Sequence, residues 1–131
     1  MIVVDSSVWI ARFRNDDTSA AGKLHKIELS DPDIILVGDL VLLEVLRGAR
    51  DDRHASRIEK RLREFTIESM VDARLAVVAA RNYRFLRERG VTIRKTIDLA
   101  IATFCMERGH WPLHDDRNFA AVAKHLPLDF L

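Results

Sequence analysis

Hydrophobic and polar positions follow two rhythms along this chain, one of short apolar runs and one of helical spacing. The opening MIVVDSSVWI sets Ile2, Val3 and Val4 in an unbroken β-branched run, as in a strand buried on both faces of a parallel sheet. The run stops at Asp5. Val8, Trp9 and Phe13 then recur at helical spacing, with Ser6 and Ser7 available as caps. Asn15 to Thr18 is a polar turn, and Ala20, Ala21, Leu24 and Ile27 predict a second helix that ends near Ser30, before the helix-breaking Asp31-Pro32-Asp33. Ile34 to Val37 predicts a second strand. Gly38-Asp39 closes it, with Asp39 as a cap for the apolar segment Leu40 to Leu46 and Gly48 as its terminator.

The second half repeats the alternation. Asp51 to Glu64 predicts a charged helix with Ile58 and Leu62 as its narrow apolar stripe, and Phe65, Ile67 and Met70 alternate as in a short strand. Val71 to Arg89 is the longest helical stretch and Gly90 ends it. Thr96 then reads as an N-cap, Ile97, Ala100, Ile101, Phe104 and Cys105 as a buried stripe, and Gly109 as the stop. His110 to His114 predicts another strand, Asn118 to Leu126 a last helix, and Leu128 to Leu131 an edge strand. Short apolar runs separated by helices predict an α/β fold, an αβα sandwich with a small, mainly parallel central sheet flanked by helices. With 131 residues and no linker or repeat, one domain spanning 1–131 is expected.

Composition narrows the class. Hydrophobic residues make up 48% and charged residues 31%, the balance of a water-soluble globular domain. No apolar run approaches the roughly 20 residues that span a bilayer, no basic segment precedes the opening run, and a lone Cys105 suggests no oxidising compartment. A cytoplasmic protein is expected. The net charge of +1 conceals two basic clusters, one from Arg47 to Arg63 and one from Arg81 to Lys95, which fit either solvated helix faces or a phosphate-rich partner.

Four acids stand out by position. Asp5 and Asp116 follow expected strands, whereas Glu44 interrupts a wholly apolar helix and Asp98 lies in the first turn of another. Each has a structural explanation: Asp5 as a helix cap, Glu44 as a partner of Arg47 three residues on, Asp98 as a complement to the helix dipole. In a parallel sandwich, however, all four places can converge on one edge of the sheet. Two like charges about 4 Å apart repel by roughly 4 kcal/mol at an effective dielectric near 20, so a gathered quartet calls for a cation. Oxygen donors select hard ions, Mg²⁺ or Mn²⁺, and no Cys/His cluster suggests zinc. Such a site suits phosphodiester hydrolysis.

At this point the sequence resembles the PIN-domain ribonucleases, and among them the VapC-type toxins of bacterial toxin-antitoxin pairs. The resemblance covers essentially the whole chain. It rests on MIVVDSSVWI, on LLEVLRG around Glu44, on TIDLAIA around Asp98 and on PLHDDRNF around Asp116. It implies a PIN-like sandwich in which Asp5, Glu44, Asp98 and Asp116 bind Mg²⁺ or Mn²⁺ and a metal-activated water attacks the RNA phosphate, leaving a 5′-phosphate and a 3′-hydroxyl. It also implies a supporting hydroxyl at Ser6 or Ser7, a substrate contact open to His114, and Asp115 at most in support. Asn118 stands where a second aspartate is common, which weakens the case for a second metal. Arg47, Arg94, Lys95 and the Arg47 to Arg63 cluster would hold the RNA backbone; a homodimer and a small antitoxin covering the site are implied as well. Two alternatives remain: a non-catalytic relative that binds only RNA or protein, and a phosphotransferase of the haloacid dehalogenase type. The latter would need an aspartate where this chain has Ser7.

Overall fold

A computed structural model describes residues 1–129. Four short strands, β1 (Ile2–Val4), β2 (Ile35–Gly38), β3 (Thr66–Glu68) and β4 (Trp111–Leu113), form one sheet in the order β3-β2-β1-β4 with every pairing parallel. Among the described residues, six α-helices connect the strands, α1 (Ser6–Phe13), α2 (Ser19–Ser30), α3 (Asp39–Arg47), α4 (Asp52–Leu62), α5 (Ala73–Glu88) and α6 (Thr96–Arg108), and α7 (Arg117–Ala123) follows the last strand. The continuous apolar runs are the central strands. All of β1 and β2 is buried, whereas the edge strand β3 is half-exposed. Pro112, which has no N–H to give, is tolerated because β4 is the other edge, where its register partner is Val3.

The connectivity decides where a site can form. From β1 the chain builds outward to β2 and β3, then crosses to the opposite side of β1 for β4. The sheet therefore reverses its order beside β1, and in open parallel sheets the crevice at such a reversal, beyond the carboxyl ends of the strands, is where ligands bind. Asp5 follows β1 at that point, its own N–H donating to the carbonyl of Leu113 at 2.9 Å.

Packing against the sheet explains the helices. Trp9 of α1 is fully buried, with ring centroids 5.7 Å from Phe13 and 5.3 Å from Phe65. The helix α6 differs from expectation: in place of a stripe, every residue from Asp98 to Cys105 is buried. A helix apolar all round belongs in the interior. Its buried hydroxyl, Thr103, is satisfied by donating to the Leu99 carbonyl and accepting from Asn82.

Several helix starts differ from the sequence pattern. Asp5, not Ser6 or Ser7, caps α1. Gly38 precedes α3, and Asp39 lies inside its first turn, where its Oδ1 accepts the N–H of Met70 at 3.0 Å and so ties the end of the β3 loop to α3. Lys95 rather than Thr96 occupies the cap position of α6, without a side-chain hydrogen bond. Asp5 caps through a local bond from the Ser7 N–H, whereas the Asp39 contact to Met70, 31 residues on, is one that only the tertiary structure determines. Of the strand expected over 128–131, Leu128 and Asp129 are not in a strand, and the remainder lies outside the described residues. No helix among the described residues is long and apolar enough to cross a membrane.

Candidate active site

The four acids come to the carboxyl edge of the sheet by four routes. Asp5 ends β1, Asp116 follows β4 and caps α7, Glu44 lies on the second turn of α3 after β2, and Asp98 lies in the first turn of α6. Asp5 and Asp98 are only 3% and 5% exposed, which makes them, with Thr103, the buried polar residues among those described.

Neighbouring side chains hold each acid by a specific bond. Ser7 donates from its hydroxyl at 2.6 Å and from its backbone N–H at 3.2 Å, both to Asp5 Oδ2. The other oxygen, Oδ1, is buried and accepts no hydrogen bond from any described residue. Ser6 donates to Glu44 Oε1 at 3.1 Å, which brings α3 against the start of α1. Arg47 reaches Glu44 Oε2 only at 4.0 Å and is largely exposed, so the ion pair suggested by the spacing exists but contributes little. Asn118 bridges two acids: its Nδ2 donates to Asp98 Oδ2 at 3.0 Å and its backbone N–H to Asp116 Oδ1 at 2.9 Å. His114 accepts the Asp116 N–H on Nδ1 at 3.2 Å and stacks on Phe119 at 4.8 Å between centroids.

The charges of Asp5, Asp98 and Asp116 act on one another or on His114 across this edge. Burial pushes the Asp98 carboxyl above its ordinary range; the Asn118 bond opposes this, and the negative charges of Asp5 and Asp116 add to it. Burial holds His114 below the usual imidazole range, against the pull of Asp116, Asp5 and Asp115. His114 is thus a neutral ring beside three acids. Asp115, Arg94 and Lys95 are exposed; Asp115 is close enough for its charge to act on His114, and Lys95 for its charge to favour ionised Asp98.

The donor set suits a hard cation. Its ligating atoms are carboxylate oxygens, one of them buried and unpaired, and an unpaired buried oxygen costs about 1–3 kcal/mol unless something meets it. Among the described residues, no three His, Cys, Asp or Glu side chains are gathered as a ready-made metal cluster. That is compatible with Mg²⁺, which retains several waters and needs only one or two direct carboxylates. A separate groove of about 600 Å³ between α5 and α6, lined by Leu75, Ala79, Tyr83 and Leu99, contains no carboxylate and takes no part in this chemistry.

The sequence pattern gave no hint of the Ser6 to Glu44 bond, which spans 38 residues, or of the bridging role of Asn118. Both are contacts between distant segments for which no spacing rule exists.

With the geometry in place, comparison with known proteins settles the family. The PIN domain family model matches residues 2–125. The chain belongs to the PIN domain family. Curated relatives of this PIN domain include the VapC ribonuclease Mb1587 of Mycobacterium bovis and ribonuclease VapC11 of Mycobacterium tuberculosis, each 28% identical over 127 residues, covering 95% of this chain and 92% of the relative. Among solved structures, VapBC2 from Rickettsia felis bound to a promoter DNA fragment superposes with a TM-score of 0.76 at 15% identity, covering 100% of this chain and 98% of that one. VapC20 of Mycobacterium tuberculosis, a toxin that cleaves the sarcin-ricin loop, gives 0.68 at 19% identity, covering 98% of each chain. At such identities the structures establish the shared PIN fold.

Proposed function

We propose that this PIN domain is a metal-dependent endoribonuclease and the toxin of a toxin-antitoxin pair. The observation that carries the reading is the buried, unpaired Oδ1 of Asp5 in a crevice shared with Asp98 and Asp116 and bordered by Glu44. The VapC ribonucleases among its relatives support the activity, and the VapBC complexes among the structures of the same fold support an antitoxin partner. A homodimer belongs to the same proposal.

In this reading Asp5, Glu44, Asp98 and Asp116 hold Mg²⁺ or Mn²⁺. The ion, when bound, polarises a phosphodiester oxygen and lowers the pKa of a water to make a nucleophile. The protein's own part is positioning. Ser7 fixes Asp5 through Oδ2 and so leaves Oδ1 for the cation. Ser6 aims Glu44, and Asn118 sets the spacing of Asp98 and Asp116. A neutral His114 serves as a hydrogen-bonding contact to substrate rather than as a fixed cation. The exposed cations Arg47, Arg94 and Lys95 hold the RNA backbone in this reading. Ser7 occupies the position where a haloacid dehalogenase would need its second aspartate, and its hydroxyl is engaged with Asp5, which counts against that chemistry.

The test is to sequence RNA 5′ ends after brief expression of the native chain and of Asp98→Asn. New ends that depend on Asp98 and carry 5′-phosphates are expected. Identical end profiles would refute the reading, and RNA binding without cleavage in the native chain would favour the binding-only alternative.

A further inference from the structure

Beside the acidic crevice, the α1, α3 and α4 helices enclose a cavity of about 390 Å³ that none of the four acids lines. Its floor is apolar, built from Ile10, Phe13, Val45 and Ile58. Its rim is cationic: Arg14 and Arg50 line it, and a contiguous cavity of similar size adds Arg57. Neither cavity is lined by an aspartate or glutamate.

The charges on this rim are not neutralised internally. Arg61 on α4 and Arg63 just after it are, by contrast, paired with carboxylates, Arg61 with Glu28 and Glu64 and Arg63 with Glu59. Among the described residues, Arg14, Arg50 and Arg57 have no such carboxylate partner. Asp51, whose carboxylate caps α4 by accepting the His54 N–H, is within reach of the charges of Arg50 and Arg57 without forming an ion pair with either. His54, which lines both cavities, accepts the Arg50 N–H on Nδ1, which makes Nε2 the donor nitrogen of the ring.

The cavity also lies at a useful distance. Ser6 touches Glu44, and with a helical rise of ~1.5 Å per residue Ile10 and Phe13 lie ~6 and ~10 Å further along α1. Val45 adjoins Glu44 directly. The cavity wall therefore begins within about 10 Å of the Ser6–Glu44 contact along α1.

An aromatic floor with an arginine rim is the combination that takes single-stranded nucleic acid, the base against the ring and the phosphate on the guanidinium groups. A volume near 390 Å³ falls in the range of small-ligand sites and suits one nucleotide. We propose that this cavity seats one nucleotide of the RNA strand flanking the scissile bond, its base against Phe13 and its phosphates on Arg14, Arg50 and Arg57. The assignment rests on the nuclease reading above.

The experiment is fluorescence anisotropy of a labelled single-stranded RNA with the full chain in chelator, which prevents metal-dependent cutting, across a series of salt concentrations. Arg50→Ala and Arg57→Ala should each weaken binding and reduce the slope of log affinity against log salt by about 0.7, the value for one phosphate contact on a single strand. Phe13→Leu keeps bulk in the core but removes the ring. It should weaken binding by about ten-fold at an unchanged slope. Arg87→Ala removes the same charge from α5 and should leave both readouts near native. Native affinity and slope in the three cavity variants, or an equal loss in Arg87→Ala, would overturn the proposal. So would native RNA binding combined with lost binding of an acidic amphipathic peptide, which would assign the cavity to a protein partner. If the native chain binds RNA with these variant effects but cuts none, the subsite stands and the nuclease reading alone falls.

Discussion

Asp98→Asn should make the metal-free protein more stable while abolishing its response to divalent cations. Asp98 is 5% exposed on a helix that is buried all round, and its carboxyl is pushed above its ordinary range by burial and then by the charges of Asp5 and Asp116. Asn118 hydrogen-bonds both Asp98 and Asp116 and so keeps the two carboxylates near each other, at a separation taken as roughly 6–9 Å. At that separation the repulsion is about 0.5–3 kcal/mol for effective dielectrics between 80 and 20. Asparagine keeps the acceptor for Asn118 and removes the charge. A gain of about 1 kcal/mol is expected without metal, or roughly 3–5 °C in Tm for a domain of this size.

The pH dependence has a definite sign. A carboxyl whose folded pKa is raised contributes stability below its unfolded value of about 3.8 and loses that contribution as pH rises through the folded value. The advantage of Asp98→Asn over the native chain should thus be full at neutral pH and shrink as pH falls through the raised pKa toward 3.8. Divalent metal reverses the order, since a cation at ~100 times its Kd stabilises by about 2.7 kcal/mol and should do so only with Asp98 ionised. Thermal melts of both proteins, with and without Mg²⁺ or Mn²⁺, across pH, check this. A lower Tm for metal-free Asp98→Asn, or a metal-induced rise equal to the native one, would refute the reasoning.

Three further outcomes follow from single contacts. Asn118→Ala leaves Asp98 Oδ2 without its donor and should cost about 1.5–3 kcal/mol in denaturant unfolding, whereas Asn118→Asp adds a charge between Asp98 and Asp116 and should lower the metal-free Tm but enlarge the metal-induced gain. Gly38→Ala places a Cβ into the buried Met70 side chain and should cost about 1–3 kcal/mol, a loss partly relieved in the double variant with Met70→Ala. The Cys105 thiol is fully buried and its pKa pushed up to about 12, so alkylation should proceed only on unfolding; labelling of the native chain at the denatured rate would contradict its placement.

The strands and most helices were legible because β1 and β2 are buried on both faces and leave the undiluted apolar runs Ile2 to Val4 and Ile34 to Val37. The acids were legible as interruptions: a charge within LVLLEVL or TIDLAIA contradicts its neighbours, and proteins tolerate such conflict where function requires it. Their partners were not. Asp39 follows a strand and precedes a helix just as Asp5 does, yet Asp5 keeps a buried unpaired oxygen in the crevice whereas Asp39 is exposed and binds the Met70 N–H. What separates them is topology. The sheet reverses beside β1 and continues outward past β2, so only the first carboxylate faces a crevice. Strand order comes from which long-range pairings form, and local pattern carries no record of it. The same limit applies to Arg14 and His54, which lie 40 residues apart and meet in one cavity only because α1 and α4 both pack against α3 or across its end.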